Sequence, residues 1–444
     1  MNKKIALINP PSPFLIDERV FPNVGLLNVA TAMRNEGYAI NVFDLCGNKE
    51  YKEKIKEIAN KFKIFGFSST TAQFPYVYEM NRIIKEINPS SFTIIGGAHP
   101  SAVYSSMIKL GPKEIKNDPN IASLEESVDL IWAGEGDRIS LEKDFKGKKW
   151  IHSEVVHDID SIPIPDRSFF DINSYHYELN GRKATTIMTQ RGCPFSCIFC
   201  CGRKIPMYNK FRQHSVERVI EEMDYLNKDF GFDAFMWFDD EININNKRLL
   251  ELCNELKKKD YIHRGFVRSD LIVKFPELVD ALADAGFVEL CTGVESGSDR
   301  ILKIINKGTT AEINLKAAEM IKSKGIRYKA FTILGHPSET YEDVMLTKQW
   351  LLNAKPDGFD VTILVPYPGS KIYEEAELSS KYKNYSYGYK DELFFNKVDF
   401  SKKQSYYKGI PGEYFSPVRT NELTAEGLVE LRDKLEEEIR RKLF

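Results

Sequence analysis

The 444-residue chain has no long apolar run. A membrane helix takes about 18 or more consecutive apolar residues, and no window comes near that, so no membrane span is expected. The apolar stretch from Ile5 to Ile8 is cut short by Asn9, Pro10 and Pro11, too early for a signal peptide. An excess of one charge is missing too: 62 Lys plus Arg against 64 Asp plus Glu leave a formal net charge of −2. Nucleic-acid binders usually carry a basic excess, so no nucleic-acid partner is expected. Repeats and low-complexity tracts are absent. What is present is 42% hydrophobic and 12% aromatic residues, the composition of a globular chain. At roughly 100–200 residues per domain the length predicts two or three domains.

Cysteine is scarce and clustered. There are seven, Cys46, Cys193, Cys197, Cys200, Cys201, Cys253 and Cys291. An odd number with four crowded between 193 and 201 reads as a metal site in a reducing compartment, not as a disulfide framework. A cytoplasmic protein is therefore expected.

Residues 1–145 alternate strand and helix patterns. Strand candidates are Lys4–Ile8, Ala39–Phe43, Ile64–Phe67, Phe92–Ile95 and Leu130–Ala133, with helical spacing over Gly25–Arg34 and Tyr76–Ile87. This predicts a doubly wound, Rossmann-like parallel sheet whose ligand crevice lies at the strand C-termini. Residues 146–184 read as a linker, with Ile162-Pro163-Ile164-Pro165 extended. Between 185 and 373 six strand–helix units recur, which predicts a partial (β/α)6 barrel. Its strand candidates are Thr186–Thr189, Ala234–Phe238, Gly265–Val267, Phe287–Thr292, Tyr328–Leu334 and Gly358–Val365. The extension 374–444 is aromatic-rich, with eleven Tyr or Phe in 382–415, Tyr406 and Tyr407 among them. It ends in a charged helix with Thr424 as N-cap and Leu428, Leu431, Leu435 and Ile439 as its apolar stripe. The fold class expected is α/β with an α-helical, aromatic-rich C-terminal extension.

The most informative segment is Arg191-Gly192-Cys193-Pro194-Phe195-Ser196-Cys197-Ile198-Phe199-Cys200-Cys201-Gly202. Cys193, Cys197 and Cys200 give C-x3-C-x2-C on a loop after a strand. Soft thiolates at this spacing suit an iron–sulfur cluster or zinc, and zinc normally wants a fourth ligand. Cys201 is adjacent to Cys200 and poorly placed to join the same chelate. A structural zinc knuckle or incidental core thiols are the bland alternatives.

The segment resembles the signature of the radical S-adenosylmethionine superfamily, down to the aromatic Phe199 before the last cysteine. The resemblance implies a 4Fe–4S cluster held by Cys193, Cys197 and Cys200, with one iron open to S-adenosylmethionine. Reductive cleavage there yields a 5′-deoxyadenosyl radical that abstracts hydrogen from an unactivated carbon. It places Phe199 near the adenine. Asp239, Asp240 or Glu241 would meet the methionine ammonium, a pairing with electrostatic logic. Arg268 would meet the carboxylate, Glu295 the ribose hydroxyls, and Ile333, on the strand Phe331–Gly335, would support the adenine. Pro366-Tyr367-Pro368-Gly369 resembles the end of the sixth strand.

The N-terminal region resembles the cobalamin-binding domain that precedes the radical domain in one subclass. Val24-Gly25-Leu26-Leu27, Asp44, Gly96-Gly97-Ala98-His99, Ala133-Gly134-Glu135-Gly136 and the Ile-Pro-Ile-Pro connector carry that likeness. It implies bound cobalamin against Gly25, Leu26, Ser68, Ser69, Thr70, Gly96, Gly97, His99, Gly134, Glu135 and Gly136. No Asp-x-His-x-x-Gly motif supplies an axial histidine, and a structural or hydrogen-bonding role suits His99 better than a ligand role.

The function this implies is methylation of an unactivated carbon of a small metabolite. A reductase, flavodoxin or ferredoxin would donate electrons. The alternatives are a non-methylating radical reaction on the same architecture (cyclisation, ring contraction, dehydration or reduction) or a non-catalytic corrinoid or metal-binding protein. A methylthiotransferase would need a second cysteine triad in the first domain, which holds only Cys46.

Overall fold

The computed structural model describes residues 4–13, 17–139, 147–202, 205–403 and 414–444. The chain divides into two compact units. One takes Met1–Tyr177 with Lys204–Arg212 and Lys397–Gln404; the other takes Glu178–Arg203, Gln213–Asn396 and Ser405–Phe444. Tyr406 and Tyr407 lie outside the described residues.

The first unit is built on β1 (Lys4–Asn9), β2 (Ala39–Asp44), β3 (Ile64–Ser68), β4 (Phe92–Gly96), β5 (Leu130–Ala133) and β6 (Trp150–His152). All pair in parallel, in the order β2-β1-β3-β4-β5-β6. The short apolar runs Ile5–Ile8 and Leu130–Ala133 are buried throughout, as strands covered on both faces must be. The order reverses between β1 and β3, so the loops leaving those two strands flank the switch-point crevice of an open α/β sheet. All five strand candidates of this region form. The sixth strand, β6, comes from the stretch that reads as a linker. After it Val156, Ile159 and Ile162 form a small apolar cluster that anchors the Ile-Pro-Ile-Pro segment.

The segment Lys397–Gln404 returns to this unit as a strap. Asn120 donates from Nδ2 to the Val398 carbonyl (3.0 Å) and accepts at Oδ1 from the Phe400 N–H (3.1 Å). Lys397 and Asp118 form a buried ion pair at 3.0 Å.

The second unit carries β7 (Glu178–Leu179), β8 (Arg182–Ile187), the short β9 (Gln190–Arg191) and Gln213 of β10 (Arg212–Gln213), whose Arg212 is assigned to the first unit, then β11 (Ala234–Trp237), β12 (Ile262–Phe266), β13 (Phe287–Glu295), β14 (Arg327–Leu334) and β15 (Gly358–Ile363). Its main sheet runs β15-β14-β13-β12-β11-β8-β7, with six parallel strands and β7 antiparallel at the edge. The order does not close on itself, so the sheet is a partial barrel. A strand forms at each of the six candidates, with β8 sharing only Thr186 and Ile187 with the candidate Thr186–Thr189. The register slips between Gly293 and Glu295 against β14, and Glu295 ends β13 at φ +64°. A bulge plus a left-handed non-glycine residue re-aims a side chain, a device found beside functional sites.

The aromatic extension is not wholly helical. β16 (Glu377–Leu378), β17 (Tyr387–Tyr389), β18 (Leu393–Phe395) and β19 (Val418–Thr420) form an antiparallel sheet. Phe394 and Phe395 are fully buried in it. The last helix spans Ala425–Leu443 and is capped by Thr424, which accepts from the Gly427 N–H. Its buried stripe is Leu428, Arg432, Leu435 and Ile439. Arg432 takes the place expected of Leu431, because its Nε donates to the Val361 carbonyl (3.1 Å) and its guanidinium covers Tyr414.

Candidate active site

The exit of β8 into the cysteine loop is fixed by Asp239. Its Oδ1 accepts from the Thr189 and Gln190 N–H groups (2.7 and 3.0 Å), and its Oδ2 accepts from the Thr189 hydroxyl (2.6 Å). Burial pushes its carboxyl up to about 6 against those bonds. Asp239 is thus committed to positioning the loop. The loop is also pinned from the segment after the helix Asp299–Ile304. The Ile198 N–H donates to the Ile305 carbonyl (3.0 Å), and Asn306 Nδ2 donates to the Ser196 carbonyl and hydroxyl.

Cys193 and Cys197 are partly buried and Cys200 is exposed. Burial pushes the Cys193 thiol up to about 11, with Glu241 and Asp240 adding to the effect. Burial raises Cys197 too, but here Lys307 and Arg268 pull the other way. Two cations therefore act electrostatically on Cys197, in the direction that favours a thiolate. Among the described residues no group of three or more His, Cys, Asp or Glu could hold one metal ion. A cubane cluster takes each thiolate on a different iron, and the three soft donors fit it.

The charged groups around Cys197 are held individually. Arg268 is buried, with its guanidinium 3.6 Å from the Phe195 ring centre. Its Nε donates to Asp270 Oδ1 (2.8 Å) and its Nη2 to the Lys307 carbonyl (2.7 Å). Asn243 clamps its main chain from both sides, at 2.9 and 3.1 Å. Lys307 is buried and donates to Glu295 Oε1 at 2.8 Å. Burial opposes its charge, yet Glu295, Cys197 and Glu241 together raise its pKa.

Glu241 is different. Its Oε2 is buried with no hydrogen-bond partner among the described residues, and burial pushes its carboxyl up to about 7 despite Lys307 and Arg268. Of the three acidic candidates, Asp239 is engaged with the loop, Asp240 is exposed, and Glu241 holds an unmet acceptor beside two cations. A buried carboxylate oxygen without a donor fits a ligand ammonium.

Phe199 is half-buried, its ring centre 5.6 Å from that of His336. His336 follows β14, where Glu339 is fully buried. Glu339 accepts at Oε2 from the Gly335 and His336 N–H groups, and burial pushes its carboxyl up to about 8. Ile333 is half-buried and shares its face of β14 with Phe331 and Lys329. The structure thus gathers Cys193, Cys197, Asp240, Glu241, Arg268 and Glu295 by their mutual electrostatics. Sequence reasoning missed Lys307, Phe195, Asn243 and His336. In the structure the Asn306-Lys307-Gly308 turn carries φ of +54° at Asn306 and +73° at Gly308.

In the first unit the expected cobalamin loops meet at the C-terminal edge of the sheet. The Ser69 N–H donates to the Gly96 carbonyl (2.9 Å), and the His99 N–H donates to the Ser69 carbonyl (3.0 Å). A Cβ on Gly97 (φ +104°) would sit 2.9 Å from the Ser69 carbonyl oxygen, so only glycine allows this approach. Asn23 accepts from the Leu26 N–H, and its Nδ2 donates to Ser68 Oγ (3.2 Å) and Asn9 Oδ1 (3.0 Å), tying the Gly25–Leu26 helix start to β1 and β3. The Gly134 N–H donates to Ser101 Oγ (2.9 Å). Glu135 is committed within the unit, accepting from Arg212 Nη1 (2.8 Å) and the Val156 N–H (2.6 Å). His99 is fully buried, stacked on Phe74 at 4.4 Å and edge-on to Phe400. These loops fit cobalamin as an amide and hydroxyl surface, not as a source of imidazole for the metal.

The comparisons with known proteins agree with this geometry. The model of the radical SAM superfamily matches residues 187–351, and that of the B12 binding domain matches residues 18–114. The chain is a radical S-adenosylmethionine protein of the cobalamin-binding-domain subclass. As such it is an enzyme whose cofactors are a 4Fe–4S cluster, S-adenosylmethionine and cobalamin. This radical S-adenosylmethionine protein is similar to an uncharacterized methyltransferase of Pyrococcus horikoshii, 29% identical over 84% of this chain and 83% of that one. It is also similar to the anaerobic magnesium-protoporphyrin IX monomethyl ester cyclase of Rubrivivax gelatinosus, 26% identical over 80% of this chain and 66% of that one. Among solved structures it shares the fold of the radical S-adenosylmethionine methyltransferase TsrM from Kitasatospora setae. The TM-score is 0.62 at 18% identity, over 84% of this chain and 77% of that one. The superfamily's chemistry requires a reductant. Among the described residues no helix is long and apolar enough to cross a membrane.

Proposed function

We propose that the protein transfers a methyl group to an unactivated carbon of a small molecule, using S-adenosylmethionine. The observation that carries this reading is the charge set around Cys197: a carboxylate oxygen without a donor on Glu241, and the cations Arg268 and Lys307. When bound, the cluster supplies the electron that cleaves S-adenosylmethionine and cobalamin supplies the transferable methyl group.

The chain's own residues bind and orient. Cys193, Cys197 and Cys200 supply thiolates. Glu241 receives the methionine ammonium in a buried, charge-assisted contact. Arg268, stacked on Phe195 and fixed by Asp270, presents its remaining nitrogen to the methionine carboxylate. Lys307 holds one oxygen of Glu295, leaving the other to accept from the ribose. Phe199 and Ile333 flank the adenine. Gly25, Leu26, Ser68, Ser69, Thr70, Gly96, Gly97 and Gly134 border the corrin surface. Holding the reactants in fixed orientation supplies much of the rate in such chemistry. A flavodoxin or ferredoxin in a reducing cytoplasm is the proposed electron source.

A non-methylating radical reaction is the second reading, favoured by the likeness to the cyclase. The two separate by product. The anaerobically reconstituted protein, given corrinoid, reductant and S-adenosylmethionine, should release both S-adenosylhomocysteine and 5′-deoxyadenosine. Release of 5′-deoxyadenosine alone supports the second reading. Release of neither refutes both.

A further inference from the structure

Asn120 and Val398 are 278 residues apart in sequence, yet they hydrogen-bond inside the first unit. Three contacts fix the strap Lys397–Gln404 there. Asn120 holds Val398 and Phe400 with one amide, at 3.0 and 3.1 Å. Lys397 and Asp118 pair with both side chains buried. At the far end Lys403 Nζ donates to the Tyr51 hydroxyl and to Glu79 Oε2, both at 3.2 Å, and lies 4.4 Å from the centre of the Tyr76 ring. Polar clamps on either side of an apolar residue fix where that residue sits. Here it is Phe400, which is fully buried.

Phe400 covers His99. The two rings meet edge-on with centres 6.1 Å apart, and Phe74 supplies a second wall, stacked on the imidazole at 4.4 Å. His99 in turn joins two of the loops that border the corrin surface. It stands in the first turn of the helix Ala98–Met107, directly after Gly96-Gly97. Its N–H donates to the Ser69 carbonyl (3.0 Å), and its Nδ1 lies 3.3 Å from the Thr71 hydroxyl, both in the loop after β3. Its Nε2 is buried with no partner among the described residues. Such a nitrogen gains a hydrogen bond as soon as water reaches it, so the ring keeps its place only while its apolar walls stay closed. Phe74 is local to the loop, whereas Phe400 is brought by the strap.

We propose that Phe400 is a positioning residue for cobalamin: the docked strap holds the His99 ring, and through it the spacing of the loops Ser68–Thr71 and Gly96–His99, so that corrinoid affinity depends on strap docking. The coupling is reciprocal, so bound corrinoid tightens the strap by the same factor. The inference rests on cobalamin being the ligand of these loops.

The test is equilibrium dialysis of hydroxocobalamin against the anaerobically reconstituted full chain, without reductant or S-adenosylmethionine. Phe400→Leu opens the wall and Asn120→Ala releases the clamp. Each should weaken hydroxocobalamin about tenfold, or about 1.4 kcal/mol. The double variant should lose little beyond either single, since both act through one strap. Met33→Ala, at a buried position of the helix Val24–Asn35, is the control for general loosening. It should lower the melting temperature at least as much and leave affinity within about twofold. The second readout is trypsin cleavage of wild type after Lys402 and Lys403, which saturating hydroxocobalamin should slow about tenfold.

Phe400→Leu and Asn120→Ala binding hydroxocobalamin as wild type does would overturn the assignment and leave cobalamin as the ligand. So would an equal loss of affinity in Met33→Ala, the mark of a merely structural strap, or cleavage after Lys402 and Lys403 that ignores saturating corrinoid. A wild type that binds no hydroxocobalamin would overturn the cobalamin reading as well. If either strap variant fails to fold, the protection of wild type against trypsin decides alone.

Discussion

Glu339 offers a prediction with a worked sign and size. Its carboxyl is fully buried, accepts two main-chain N–H bonds at Oε2, and leaves Oε1 without a partner. Burial moves its pKa from the ordinary 4.5 to about 8, outweighing the two N–H donors. Between those values the folded chain keeps a proton that the unfolded chain has released. Stability therefore falls as pH rises through that window, by up to about 1.4 kcal/mol per pH unit. By pH 8 the loss reaches about 2–5 kcal/mol. Glu339→Gln keeps the shape and the acceptor oxygen but cannot ionise. The assay is equilibrium urea unfolding of both proteins from pH 5 to pH 8.5. Near pH 5 the two should agree within about 1 kcal/mol, and the variant should gain steadily above that. Parallel stability curves, or a wild type that gains on the variant as pH rises, would refute the reasoning.

Other consequences follow from the same site. Lys307→Met leaves the Glu295 charge buried and unpaired, which should cost about 3–5 kcal/mol in urea unfolding. The double variant with Glu295→Gln should recover most of that, and a double variant no more stable than the single would contradict the pairing. Asp239→Ala strips three hydrogen bonds from the entry to the cysteine loop and should cost about 2–4 kcal/mol. It should also lower the iron and sulfide retained per chain after reconstitution, and full loading would argue against its positioning role. Cobalamin bound to wild type should show no nitrogen hyperfine coupling from a protein histidine in its cobalt(II) electron paramagnetic resonance spectrum. His99→Phe should leave that spectrum as it is.

Much of the fold was legible because both sheets are parallel and buried. Short apolar runs such as Ile64–Phe67 and Phe287–Thr292, closed by polar or glycine loops, mark strands independently of context. β6 escaped notice because Trp150-Ile151-His152 is too short to show a period. The small sheet of the extension escaped for a related reason: its aromatic residues read as mass without periodicity. The cysteine triad stands out by its spacing, whereas Arg268, Glu241 and Glu295 are named only through the resemblance to the superfamily. Which carboxylate meets the ammonium could not, since Asp239, Asp240 and Glu241 are adjacent in sequence and differ only in their partners. Lys307 and His336 were hidden for the same reason. A lysine in a turn and a histidine before a proline look like surface residues until long-range packing buries them.

The central claim is that this chain cleaves S-adenosylmethionine reductively at the site of Cys193, Cys197 and Cys200. The most direct measurement is 5′-deoxyadenosine released by the anaerobically reconstituted protein with dithionite and S-adenosylmethionine, beside the same assay on Cys197→Ala. The account predicts product from wild type and none above background from the variant. No product from wild type, or equal product from both, would contradict it.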